Sequence, residues 1–218
     1  MPLPAAFPSY ISSCTRPLLC CFNAMPPRFS LALLLGLSLG LRAEDAPPAG
    51  HAAHAVAEGA KTAEPKEDMF IALDPSAPKT VKLVIIAAYN AANYGMNFNG
   101  FAKGGAQYVI PQGWQVVVNF TNNSPVPHSA IVVERSFVRK IQMGEPAFKG
   151  ASTPTPLRGT TGKKGVEFRF TAEEAGDYAL ACGFPAHSAN GHWIGLEVSA
   201  TAEKPSLKFG AGAPVLAK

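Results

Sequence analysis

The reading of this chain turns on one stretch, Tyr178-Ala-Leu-Ala-Cys182-Gly-Phe-Pro-Ala-His187-Ser-Ala-Asn-Gly-His192. It opens as a strand candidate, residues 177–181, after the turn signal Glu174-Ala-Gly176, and runs into another at residues 193–199. Between them stand one thiol and two imidazoles, with four residues separating each successive pair. Gly183, Pro185 and Gly191 keep this segment out of a regular helix, so it is expected to curl and bring several side chains to one point.

Working outward, the same texture recurs from Met69 onward. Short β-type runs at residues 69–73, 81–89, 96–101, 107–110, 114–119, 129–133 and 166–171 are separated by turn signals, among them Asn99-Gly100, Pro111-Gln-Gly113 and Asn122-Asn-Ser-Pro125. Residues 114–120 and 166–171 alternate apolar and polar side chains in part, the mark of half-buried strands. A short helix over 82–92 is the alternative for that segment. The fold class is all-β, and repeated strands at this spacing predict a sandwich or a barrel. Residues 135–164 interrupt the pattern as a long loop excursion rich in Gly, Pro and Thr. It carries Arg135, Arg139, Lys140, Lys149, Arg158, Lys163 and Lys164 against the single acid Glu145. Residues 201–218 read as a peripheral tail after a domain over 69–200.

The N-terminal third reads differently. Arg28 precedes an apolar run from Phe29 to Leu41, too short for the ~20 residues of a bilayer span but long enough for a signal-peptide core. Residues 1–43 are therefore expected to be a leader, with translation starting at Met25 and cleavage after Ala43. An uncleaved membrane anchor is the second reading. Residues 44–68 carry six acids, two lysines and no large apolar residue except Val56, so they read as a linker. His51 and His54 lie in it at i and i+3 and read as part of a solvated linker, with a weak auxiliary metal pair as the alternative. Three of the 19 basic residues fall in the leader and none of the 15 acids does, so the remainder is close to neutral and gives no support to nucleic-acid binding. Removing the leader also removes Cys14, Cys20 and Cys21. Cys182 is then the lone thiol of an exported protein, unable to form an internal disulfide and either buried and inert or taken up by chemistry.

The domain has three histidines, and all of them complete a pattern with Cys182. His128 follows the 114–119 strand through the proline-flanked turn Pro125-Val-Pro-His128-Ser, positioned to join His187 and His192 from an adjacent strand end. A thiolate and two imidazoles with a weaker axial group are the donor set of a mononuclear copper site built for electron transfer. Asn123 or Ser129 is expected to steady the ligand loop.

These residues resemble those of the cupredoxins, most closely the sulfocyanin-like branch. The likeness runs from Met96 to Ser199 and includes Asn97-Phe-Asn-Gly100, Ile110-Pro-Gln-Gly-Trp114, Pro127-His-Ser129, the 168–178 stretch and Cys182-Gly-Phe-Pro-Ala-His187. The resemblance implies a Greek-key β-sandwich holding one copper ion that cycles between Cu(I) and Cu(II). It carries the family's ligands directly onto His128, Cys182 and His187. The family has methionine where this chain has His192, so the axial position departs from the pattern. If His192 binds, Cu(II) is favoured and the reduction potential falls. Met96 and Met143 are the other candidates for an axial donor.

The expected function is one-electron transport in the periplasm or on the outer face of a membrane, not catalysis. Redox partner proteins are expected to dock at the basic 135–164 excursion. A multicopper oxidase needs His-x-His pairs and a binuclear centre needs a second cysteine, and the domain has neither. A mononuclear copper enzyme with an open coordination position and a copper storage or delivery protein are the remaining alternatives.

Overall fold

The computed structural model describes residues 63–218. The leader, the cysteines within it and the His51/His54 pair lie outside the described residues. Ten strands run in chain order: β1 Ile71–Leu73, β2 Thr80–Ala87, β3 Ala106–Pro111, β4 Gln115–Asn122, β5 Ile131–Glu134, β6 Val166–Thr171, β7 Gly176–Ala181, β8 Trp193–Ser199, β9 Ser206–Phe209 and β10 Val215–Leu216. No α-helix occurs among the described residues, which contain only short 3-10 turns. One sheet has the order β1-β2-β4-β6 and the other β10-β9-β3-β8-β7-β5. Two pairings are parallel, β2 with β4 and β3 with β8, and the rest are antiparallel. The fold is the all-β sandwich expected from the sequence.

Alternating side chains explain how the sheets close on each other. Phe168 and Phe170 of β6 are buried while Glu167 and Arg169 face out. Val116, Val118 and Phe120 of β4 join Leu83 and Ile85 of β2, Tyr108 and Ile110 of β3, and Leu180 and Leu196 of the facing sheet in one core that also contains Cys182. Burying a side chain of this kind contributes about 1.5–3 kcal/mol. Cys182 is thus anchored in the main core.

The strand expected at 81–89 forms as β2, its helical alternative does not, and two other segments differ from expectation. Residues 82–92 form no helix: β2 occupies Thr80–Ala87 and a 3-10 turn follows at Ala92–Gly95. Residues 96–101 are not a strand but a tight turn with isolated bridges from Phe98 to Ala87 and Phe101. The reason lies in two buried asparagines, whose side chains compete with a regular ladder. Asn99 Oδ1 accepts the Ile86 N–H at 2.7 Å and its Nδ2 donates to the Val84 carbonyl at 2.8 Å, so a side chain replaces a strand neighbour of β2. The C-terminal stretch expected as a peripheral tail instead supplies β9, paired to β3, and β10. Leu207 of β9 belongs to the core, and the Leu73 N–H donates to the Lys218 carbonyl at 2.8 Å.

The 135–164 excursion does leave the sheets, yet it is anchored rather than merely solvated. Phe148 stacks on Phe170 at 5.5 Å and lies 4.7 Å from the Tyr178 ring, and Ala151 and Thr153 are buried. Its cations, Arg135 apart, stay at the surface, as charged side chains do unless paired.

Candidate metal centre

β7 and β8 are antiparallel neighbours with Ala181 opposite Trp193, so the residues at their ends meet. Cys182 and His192 are those residues, and the Cys182 N–H donates to the His192 carbonyl at 2.9 Å. Residues 183–191 fold over the strand ends in successive turns, with N–H bonds from His187 to Phe184, Asn190 to Ala186 and His192 to His187. Two left-handed residues permit this path, Ala186 at φ 66° and Gly191 at φ 93°. β5 lies on the other side of β7, which brings the turn before it, and so His128, onto the same point.

The side chains converge as the sequence pattern requires. Cys182 Sγ lies 3.9 Å from His128 Nδ1 and 3.5 Å from His187 Nδ1, and the two nitrogens are 3.2 Å apart. The point equidistant from these three atoms is about 2.1 Å from each, within the usual length of a first-row metal–nitrogen bond and a little short of a metal–sulfur bond. One donor atom from each of His128, Cys182, His187 and His192 lies within 4.8 Å of the others, and all four residues are buried. His192 Nε2 sits 3.0 Å from the Asn97 carbonyl. A carbonyl can only accept, so this nitrogen carries the proton and Nδ1 keeps the lone pair. The donor set fits a single thiophilic metal ion, with three imidazoles in place of the usual two.

Electrostatics makes the same demand. Burial pushes the Cys182 thiol up to about 11, against the opposing N–H bonds from Ser129 and Phe184 and the Ser129 hydroxyl. The metal-free pocket therefore holds a neutral thiol at pH 7, and a bound cation is what makes the thiolate. Phe98 lies 4.3 Å from the His192 ring and Phe184 4.7 Å from the His187 ring, so aromatic side chains wall the cluster from water.

Around the donors lies a set of supports that the sequence showed only in part. Ser129 was expected to steady the loop, and its hydroxyl donates to the Pro156 carbonyl at 2.8 Å while accepting the Gly183 N–H at 2.9 Å. On the His128 side the side chain that does this is Asn122, not its neighbour Asn123. Asn122 Nδ2 donates to the Val126 and Thr160 carbonyls, each at 2.7 Å, and its Oδ1 accepts the Ser124 N–H at 2.9 Å. Asn123 uses its backbone N–H on the Ala87 carbonyl. The excursion clamps the site at three places. Thr160 and His128 exchange backbone bonds at 2.7 and 3.1 Å, Pro156 meets Ser129, and the Ile141 carbonyl accepts the Ala186 N–H. Gly159 must be glycine here, since a Cβ would stand 2.9 Å from the His128 carbonyl at a φ of +67°. Met143 packs with Ile131, Val133 and Ala181 in a second cluster, separate from the core that holds Cys182.

A buried thiol and a set of imidazoles at the strand ends of a two-sheet β-sandwich define a protein of the cupredoxin class, a carrier of single electrons on one copper ion rather than an enzyme. Residues 69–207 match the Sulfocyanin (SoxE) domain, and the chain belongs to that family. It is 31% identical over 138 residues to the sulfocyanin of Sulfolobus acidocaldarius, an overlap of 60% of this chain and 69% of that protein. Among solved structures, a rusticyanin variant aligns at 20% identity with a TM-score of 0.45, covering 56% of this chain and 79% of its own. Auracyanin A of the green thermophilic photosynthetic bacterium Chloroflexus aurantiacus aligns at 23% identity with a TM-score of 0.38, covering 55% and 99%.

Proposed function

We propose that His128, Cys182, His187 and His192 would together hold the copper ion of this electron carrier, with His192 as the fourth donor. The observation that carries the reading is the meeting of the donor triangle with the His192–Asn97 bond. The bond commits one nitrogen of the ring to the backbone and leaves the other for the metal. Bound copper supplies a one-electron couple between Cu(II) and Cu(I). The protein's share is to hold the donors in one arrangement for both states. The Ser129, Asn122 and Thr160 bonds keep the ligand segments from relaxing, and Phe98 and Phe184 exclude water, so that little reorganisation accompanies transfer.

On the same reading the chain is exported, with residues 1–43 as its cleaved leader, and it works in the periplasm or on the outer face of a membrane. Its redox partners dock on the basic face of the 135–164 excursion, where Ile141 is 69% exposed and bonded through its carbonyl to the ligand loop. No helix among the described residues is long and apolar enough to cross a membrane. The test is a copper titration of the metal-free protein, followed by optical spectroscopy and voltammetry. An intense thiolate-to-copper band and a reversible one-electron wave are expected, and Cys182→Ser should abolish the band. A band that survives that substitution would refute the site.

A further inference from the structure

The ligand loop has a second outward face. Between it and the start of the excursion lies a cleft of about 620 Å³, whose lining includes Lys103, Arg139, Ser188, Asn190 and Trp193. Its parts are held in place. Lys103 takes a left-handed φ of 54° and donates its N–H to the Gly191 carbonyl at 2.8 Å. Its stem lies across Gly191, where a Cβ would stand 2.5 Å from Lys103 Cγ. Ser188 Oγ donates to the Val138 carbonyl at 2.8 Å, tying the loop to the turn that carries Arg139. The Trp193 ring covers Gly104, where a Cβ would meet it at 2.7 Å, and the Arg135 guanidinium lies 4.9 Å from the ring centroid.

Charge separates this cleft from the rest of the basic face. Arg135 is neutralised by Asp177 at 3.0 Å. Lys103 and Arg139 form no ion pair among the described residues, and no carboxylate lines the cleft. Two unneutralised cations attract an anionic surface, and a fixed tryptophan beside an arginine is the make-up of an interface anchor. Trp193 is also joined by a single peptide bond to His192.

We propose that the cleft between Lys103, Arg139 and Trp193 is a second electron-transfer docking site, filled by the acidic surface of a one-electron redox protein. Trp193 and His192 form its route to the metal. The proposal rests on the copper-carrier reading above. In a transfer the partner loses one electron and Cu(II) becomes Cu(I), or the reverse, with no bond or proton exchanged.

The test uses two anionic probes and three variants. Hexacyanochromate(III), a redox-inert paramagnetic trianion, should broaden the NMR signals of Lys103, Gly191 and the Trp193 indole in the metal-free protein. K103E/R139E should remove that broadening. In the Cu(I) protein the same variant should slow oxidation by hexacyanoferrate(III) about tenfold. K204E/K208E, an equal change in net charge at exposed lysines outside both the excursion and the cleft, should slow it less than about threefold. Trp193→Leu should retain the broadening but slow the oxidation. Broadening centred on Lys149 and Lys163, or equal slowing by the two double variants, would overturn the docking site. Unchanged oxidation in Trp193→Leu would remove the route. A protein that shows the broadening but never develops the copper band would refute the carrier reading, and with it the electron route, while leaving the anionic cleft.

Discussion

Replacing His192 by methionine tests the proposed fourth ligand apart from the rest of the site. His192 is fully buried, packs 4.3 Å from Phe98 and gives its Nε2 proton to the Asn97 carbonyl. Methionine is flexible enough to fill the space, so the loss to the fold is chiefly one hydrogen bond. The Asn97 carbonyl still accepts the Ala88 N–H at 3.0 Å, so it is not stranded, and the cost to stability is about 1 kcal/mol. The effect on the metal is larger. An imidazole is a stronger donor to Cu(II) than a thioether, and a differential preference of about 3 kcal/mol corresponds to roughly 130 mV at 59 mV per tenfold change. His192→Met should therefore raise the potential by about that amount and shift the site from tetragonal toward trigonal, with a bluer optical spectrum. Voltammetry and EPR of the copper-loaded variant beside the parent protein measure both, and chemical denaturation measures the small stability loss. A potential within about 20 mV of the parent, with an unchanged EPR spectrum, would falsify axial ligation by His192.

Ser129→Ala strands the buried Gly183 N–H and the Pro156 carbonyl, and should cost about 2–3 kcal/mol in denaturant unfolding while the Cys182 ligand remains. A loss below about 0.5 kcal/mol would show that the hydroxyl bridge carries no weight. Because the metal-free Cys182 thiol is pushed up to about 11, metal binding must displace its proton. Apparent copper affinity should rise about tenfold per pH unit between pH 7 and 9, with one proton released per ion in an unbuffered titration, and a pH-independent affinity would contradict thiolate ligation. The sign for the metal-free fold is the opposite. The folded thiol binds its proton more tightly than the unfolded one, so the stability it contributes is present below about pH 9 and lost as pH rises through about 11. Cys182→Ala should flatten that decline in a pH series of thermal melts. Leu207→Ala, in the segment after residue 200, should cost about 2–4 kcal/mol, and a loss under 1 kcal/mol would return that segment to the periphery.

Residue chemistry and spacing alone marked out the candidate donor set. A single cysteine and three histidines in a strand–loop–strand context mark a candidate copper donor set, because ligand preference is a property of the side chains. The β class was equally legible, since alternation along 166–171 is a local consequence of the pleat. What spacing could not reveal is which groups hold the donors still. Asn97 supports His192 across 95 positions of the chain, and Asn122 supports the His128 turn through Thr160, 38 residues away. The loop excursion looked like a charged surface, yet its Ile141, Pro156 and Thr160 clamp the ligand segments. The tail looked peripheral, yet it adds two strands to the sheet that carries Cys182 and His192. Each of these hydrogen bonds ends on a backbone carbonyl, which every residue carries, so the accepting partner leaves almost no signature in residue type. The amino-acid sequence determined which atoms can hold copper, and only the tertiary structure decided what keeps those atoms buried, oriented and about one bond length from a common point.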